Sequence, residues 1–328
     1  MKKSLLALVA AIVILALVLV LNRKKDEAQD VSKYAFDTTQ SAAMAMVETH
    51  SATDTAKLES KQGQWVVVED GFPADTAKIN RLSEVLYHLQ TQDMVSTNPE
   101  RAAEYGLDSA NVKTVIWKDQ SGKVVGKVAI GKTSGADFRS TYWKFLDHPE
   151  VYRTPGNFSY EIATRVNEWK EKHLFPQLKS DIQFIETNWK DSAGTSFQYR
   201  LEALNDTTWR MLSPQANPVK RELAQEMATQ VMNLTIDDFL SDADTNKVQA
   251  ALDSPSVAIT VDYKGGKSVT LKAGASFAGM TYALHPSRSD TVKVGTWHFD
   301  AFKKKPFELI EPPKDTAVKA DSAQHAAE

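Results

Sequence analysis

Cysteine is absent from all 328 residues of this chain, which excludes disulfides, thiolate zinc sites, Cys nucleophiles and a lipidated N-terminal Cys. An excess of positive charge is missing too: 39 Lys and Arg stand against 42 Asp and Glu, a formal net charge of −3. The basic residues are dispersed and form no stripe that could track phosphates, so nucleic acid is not an expected partner. There is no G-x-S-x-G elbow and no H-E-x-x-H pair, and the histidines are scattered. No catalytic, cofactor-binding or metal-binding residue is assigned on sequence, and neither an enzyme activity nor a cofactor is expected.

What the chain does contain is an internal repeat. Met46-Val47-Glu48-Thr49 returns as Phe184-Ile185-Glu186-Thr187, Trp65 as Trp209, Leu107-Asp108 as Leu252-Asp253, and Thr141-Tyr142 as Thr281-Tyr282. The partners keep their order at a spacing of about 140 residues, the pattern of one domain copied in tandem.

Ahead of the repeat, Leu5 to Leu21 is uninterrupted apolar sequence between Lys2-Lys3 and Arg23-Lys24-Lys25. As a helix, Ser4 to Asn22 reaches roughly 28 Å at about 1.5 Å per residue, close to the ~30 Å hydrocarbon core of a bilayer. A cleaved signal peptide has a shorter apolar stretch and a small-x-small cleavage site, which Leu19-Val20-Leu21-Asn22 does not offer. The expectation is an uncleaved N-terminal transmembrane signal-anchor over 1–25 that contacts membrane lipid. Basic residues flank both of its ends, so the positive-inside rule leaves orientation nearly tied. A single-pass arrangement in the inner (cytoplasmic) membrane, with everything after the anchor outside the cytoplasm, is the reading adopted.

A charged juxtamembrane linker follows over 26–32. In the first copy, over 33–178, strands are expected near Ala43–Glu48, Thr55–Glu59 and Gln64–Val68. Ile79, Leu82, Val85, Leu86 and Leu89 then recur at helical spacing after Pro73. Asn98-Pro99 opens a short helical turn that ends at Gly106. Val112–Trp117 and Val124–Ile130 read as a hairpin, with further strands near Tyr142–Leu146 and Glu150–Arg153 and a helix from about Phe158 to Lys172. The second copy, over 179–312, repeats this order, with Leu223, Met227, Val231 and Leu234 on one helical face and a hairpin around Gly265-Gly266. From 313 to 328 the composition is that of a disordered tail. The fold class is therefore α+β: two tandem duplicated domains, each a mostly antiparallel sheet with a packed helix, behind one N-terminal transmembrane helix.

The order Trp65 strand, Pro73 helix, Tyr105-Gly106-Leu107-Asp108, Ile130-Gly131, Tyr142 and Val151-Tyr152 resembles the domain-of-unknown-function family 4340 (DUF4340). The resemblance covers roughly Ala43 to Leu178 and, more weakly, Phe184 to Leu309. In the second copy Ala251 stands in place of the Gly106 equivalent and Ala273 in place of Ile130. The resemblance implies a bacterial, membrane-anchored protein associated with auxiliary parts of ABC transport systems of the gliding-motility type, and it carries over no catalytic residue.

Four patterns invite a chemical reading. Gly126-Lys127-Val128-Ala129-Ile130-Gly131-Lys132-Thr133 fits the phosphate-loop pattern G-x-x-x-x-G-K-[ST]. That motif needs a loop between strand and helix, whereas Val124, Gly126, Val128 and Ile130 alternate as a strand does, and the second copy keeps the strand but not the Lys-Thr. Asp242, Asp244, Asn246 and Asp253 approach a calcium-loop spacing, but Lys247 occupies the glycine position and Asp the place of the bidentate Glu. Asp244 reads better as a helix cap. His148-Pro149 and His285-Pro286 recur at one place in both copies and read as turn residues. Trp65, Trp117, Trp143, Tyr142 and Tyr152 could line a sugar-binding face, although alternation assigns most of them to the core, with Trp143 the least constrained.

The functional expectation is a membrane-anchored extracytoplasmic binding or assembly protein, a non-enzymatic accessory whose partners are ABC-type transporter components. A cell-envelope glycan or peptide binding module and an unrecognised hydrolase are the alternatives.

Overall fold

The computed structural model of the chain describes residues 35–36, 44–134, 139–175, 178–240, 248, 252, 255–288 and 290–312. The expected anchor (1–25), linker (26–32) and tail (313–328), with Asp242, Asp244, Asn246 and Asp253, lie outside the described residues. Among the described residues, no helix is long and apolar enough to cross a membrane. The chain divides into two compact units, Met1–Glu171 and Lys172–Glu328.

In the first unit, alternation of buried and exposed residues produces strands β1 (Met46–His50), β2 (Thr55–Lys61) and β3 (Gln64–Val67), then β4 (Met94–Ser96) and β5 (Lys113–Lys118). Strands β6 (Val124–Thr133), β7 (Ser140–Phe145) and β8 (Val151–Pro155) complete an eight-stranded sheet of order β3-β2-β1-β5-β6-β7-β8-β4. Neighbouring strands are antiparallel, and the register places Leu58, Val47, Trp117 and Gly126 in one row across β2, β1, β5 and β6.

Helix α1 (Thr76–His88) starts where the Asp75 carboxylate accepts from Ala77 N and Lys78 N, and it buries Ile79, Leu82, Val85 and Leu86. Each such side chain contributes about 1.5–3 kcal/mol when fully removed from water. Leu86 and Trp117 share the wall of one small cavity, which places this helical face on the inner face of the sheet. Part of the other face is covered by the 3-10 helix Pro99–Tyr105, which ends at Gly106 with φ +66°. Tyr105 and Leu107 pack there against Ala129 and Val151.

The expected helix from Phe158 to Lys172 is not formed; only the single turn α2 (Val166–Trp169) is helical. The carbonyls that a helix would need are already used. Ser159 O and Ile162 O accept from Lys113 Nζ at 2.9 and 2.8 Å, and Ala163 O accepts from Trp169 Nε1 at 3.1 Å. The segment instead returns as a strap to the start of α1: Asp75 N donates to Trp169 O at 2.8 Å, and Glu171 N to Pro73 O at 2.8 Å.

The second unit contains β9 (Ile182–Lys190), β10 (Ser196–Ala203), β11 (Trp209–Ser213), β12 (Asn217–Pro218) and β13 (Asp238–Phe239). Beyond them come β14 (Val257–Tyr263), β15 (Ser268–Phe277), β16 (Met280–Leu284) and β17 (Thr291–Gly295). Their nine-stranded order, β12-β11-β10-β9-β14-β15-β16-β17-β13, repeats that of the first sheet with β12 added at one edge. Helix α3 (Arg221–Asn233) buries Ala224, Met227, Ala228 and Val231; Leu223, expected on that face, is half-buried while Ala224 takes the inward position.

The strap recurs here. After α4 (Pro306–Leu309), Lys220 N donates to Leu309 O at 2.8 Å and Glu311 N to Pro218 O at 3.1 Å. Residues just past Glu171 belong to this unit by their hydrogen bonds, since Leu174 N donates to Leu234 O at 3.0 Å and Ile236 N to Lys172 O at 2.8 Å.

Two outcomes test this account. Trp169→Ala empties a fully buried site in the strap and should cost about 3–5 kcal/mol in urea unfolding. Glu48 on β1 accepts from Lys118 Nζ at 2.6 Å, and that hydrogen bond holds its carboxyl below the ordinary 4.5. A carboxyl depressed in the folded state stabilises above its unfolded pKa, and that contribution is lost as pH falls through the folded one. Glu48→Gln should therefore cost up to about 1 kcal/mol at pH 7, and the difference from wild type should vanish in acid below the folded pKa.

Candidate functional site

Most residues that drew attention in the sequence are structural in this fold. The phosphate-loop match, Gly126 to Thr133, lies within β6, paired with β5 on one side and β7 on the other. Its two glycines answer to close packing: a Cβ on Gly126 would lie 2.2 Å from Trp117 Cζ2, and one on Gly131 would lie 2.2 Å from Tyr105 O. The equivalent stretch of the second unit is also strand, β15.

Trp117 and Trp143 are fully buried, and the Trp143 indole donates to Thr154 Oγ1 at 2.8 Å. Trp143 therefore faces the core, against the expectation that it is the least constrained. Phe36 packs on Trp117 with ring centres 4.6 Å apart, Trp143 lies 5.0 Å from Tyr152, and Tyr142 packs on Tyr105 at 5.0 Å on the opposite face. Trp65 on β3 is half-buried. These rings form no exposed strip joining Trp117 and Trp143, because both are core residues. His148 is exposed in the β7–β8 turn; His285 is buried in the β16–β17 turn, where His285 N donates to Asp290 O at 2.9 Å and Nδ1 accepts from Ser287 N at 3.3 Å.

Concave surface occurs in the first unit where β5 and β6 meet. Lys113 and Ile130 are register partners, after which β6 bulges before Thr133 pairs with Thr141 of β7. The bulge sets Gly131, Lys132 and Thr133 along a cleft of about 460 Å³ whose other walls come from Asn111, Lys113, Ser159 and Tyr160. Close approach of the Tyr105–Leu107 turn positions this corner, since a Cβ on Gly106 would lie 2.8 Å from Lys132 N. Among the described residues, the lining side chains present ammonium, hydroxyl and amide groups and no carboxylate.

Burial pushes the Lys113 ammonium below the usual lysine range, with Glu168 opposing. Thr133 Oγ1 lies 2.8 Å from Asn157 Oδ1 and 3.1 Å from Ser159 Oγ, so the hydroxyls are already ordered. Lys132 is exposed, and Tyr160 stands 80% exposed at the rim. Sequence reasoning considered Lys132 and Thr133 but missed Lys113 and Ser159. The available signal was a lysine at a strand position where the second unit carries Val257.

The second unit has a cleft of about 400 Å³ lined by Ile182, Leu204 and Trp209 as well as by Lys179, Lys264 and Asp206. It is more apolar, and a carboxylate shares the wall with the lysines. Lys179 Nζ donates to Thr229 Oγ1 at 2.8 Å, and Lys264 Nζ to Ser180 O at 2.7 Å. Among the described residues, no group of three or more His, Cys, Asp or Glu is placed to hold a metal ion.

Two mostly antiparallel sheets, each packed on one helix, define an α+β protein. The family described as Domain of unknown function (DUF4340) matches residues 65–255, and the chain belongs to it. The match runs from β3 of the first sheet to the residues just before β14 of the second. No curated protein and no solved structure matches the chain.

If Gly126 and Gly131 are packing residues, alanine at either position should cost about 1–3 kcal/mol of stability through overpacking, read as a lowered urea midpoint with an unchanged m-value.

Proposed function

We propose that this DUF4340 protein is a membrane-tethered, non-enzymatic binding or assembly component of an ABC-type transport or gliding-type surface-export complex, held with its two units outside the cytoplasm. In this reading, one ancestral unit was copied in tandem behind the apolar segment 5–21. The observation that carries it is the nature of what the units share. Strand order, the strap at the helix start and the inward position Val47/Ile185 recur, and all of these are devices of packing. A scaffold that presents surfaces selects for such devices, whereas a catalyst also needs convergent reactive groups. Burial of Trp117 and Trp143 weakens the glycan-binding alternative, which relied on an exposed aromatic strip.

The test is purification of the tagged full-length chain from detergent-solubilised membranes, with co-purifying proteins identified by mass spectrometry. A transporter permease and its ATPase subunit should be recovered with the chain, and deletion of 1–25 should move the protein to the soluble fraction. Recovery of the chain alone, or of full-length chain in the soluble fraction, would refute the proposal.

A further inference from the structure

Among the described residues, the cleft at the end of β5 and β6 carries a surplus of positive charge. Two carboxylates act on its lysines, Glu168 on Lys113 and Glu104 on Lys132. Each already has an arginine. Glu104 pairs with Arg101 at 2.7 Å, and that hydrogen bond holds its carboxyl below the usual range. Burial raises the Glu168 carboxyl, but its pairing with Arg165 outweighs this and lowers it. With both acids matched by arginines, Lys113 and Lys132 remain as two positive charges on one concave surface. The hydrogen bonds of Lys113 go to carbonyl oxygens, which are neutral.

The second unit serves as an internal control. Lys113 pairs with Ile130 as Val257 pairs with Ala273, and Thr133 pairs with Thr141 as Ser276 pairs with Thr281. The register thus equates Lys113 with Val257 and Lys132 with Ala275. The strand, the bulge and the hydroxyl position are common to both units, and only the cations are particular to the first. The strand and its bulge form in the second unit without a lysine at either place, and in the first Lys113 also holds the Ser159 and Ile162 carbonyls.

We infer that this cleft binds a phosphoryl group, held between Lys113 and Lys132 with Thr133 and Ser159 as hydroxyl partners and Tyr160 at its rim. A phosphate monoester carries up to two negative charges and several acceptor oxygens, which suits two ammonium groups better than a singly charged carboxylate does, and the Thr133 hydroxyl, here donating to Asn157 Oδ1, would turn with Ser159 to donate to it. The site uses side chains at a β-bulge and owes nothing to a glycine-rich loop or a helix N-terminus. The phosphoryl group belongs either to a soluble phosphate or to a lipid headgroup.

Full-length chain in neutral detergent would be titrated calorimetrically with inorganic phosphate and with dihexanoyl phosphatidic acid, using dihexanoyl phosphatidylcholine as the blank. Saturable binding of at least one phosphate probe is expected, weakened about tenfold or more by Lys132→Ala. Tighter binding of the phosphatidic acid assigns the headgroup as the source, and equal or tighter binding of inorganic phosphate assigns a soluble phosphate. Lys113→Met should weaken binding as well, but it also removes two structural hydrogen bonds, so the exposed Lys132 is the deciding position. Absence of saturable binding by both probes, acetate binding as tightly as phosphate, or unchanged affinity in a normally folded Lys132→Ala would overturn the inference.

Discussion

In each unit a pair of backbone hydrogen bonds holds the entry to the one long helix, and that helix covers the inner face of the sheet. The donors are Asp75 and Glu171 in the first unit and Lys220 and Glu311 in the second, and the acceptors are the carbonyls of the facing segment. An antiparallel sheet with an apolar face requires a cover. A single thirteen-residue helix would be marginal on its own propensity, so tertiary contacts must supply its stability. The strap satisfies exposed backbone groups at the helix start and fixes the angle at which the chain enters it. Trp169 in one unit and Leu309 in the other fill the space beneath, both buried.

Strap and cleft are parts of one segment in the first unit. The run from Gly156 to Glu171 that ends in the strap also supplies Ser159 and Tyr160 to the cleft and the carbonyls that hold Lys113. The same chain that secures the helix therefore orders one wall of the concave surface. This economy explains why the segment is not helical: its carbonyls face a lysine and an indole rather than the amides of a following turn.

Electrostatics separates the two units more than shape does. Both contain the bulge after the β5–β6 or β14–β15 hairpin, and both place a hydroxyl residue opposite a threonine there. In the first unit that corner carries two lysines and arginine-matched glutamates, while in the second the corresponding positions are Val257 and Ala275. The two units thus share strand order and bulge and differ at this corner in charge. The residues shared by the two units build the sheets, and the lysines that differ line the cleft of the first unit.

Periodicity in the sequence alone determined the longer strands and the α1 face of Ile79, Leu82, Val85 and Leu86, because burial of one face imposes period 2 on a strand and about 3.6 on a helix, while the short edge strands β4, β12 and β13 carried no such signal. Comparison of the copies likewise determined that Gly126 to Thr133 is strand. Only the tertiary structure decided that Phe158–Lys172 forms a strap, that Trp143 faces inward, and that Lys113 and Ser159 meet Lys132 and Thr133 around one cleft. The physical reason is distance along the chain. Local periodicity reports which face of an element is buried, but it does not report which distant carbonyl or hydroxyl will meet a lysine across the sheet, and both the strap and the cleft are made of such meetings.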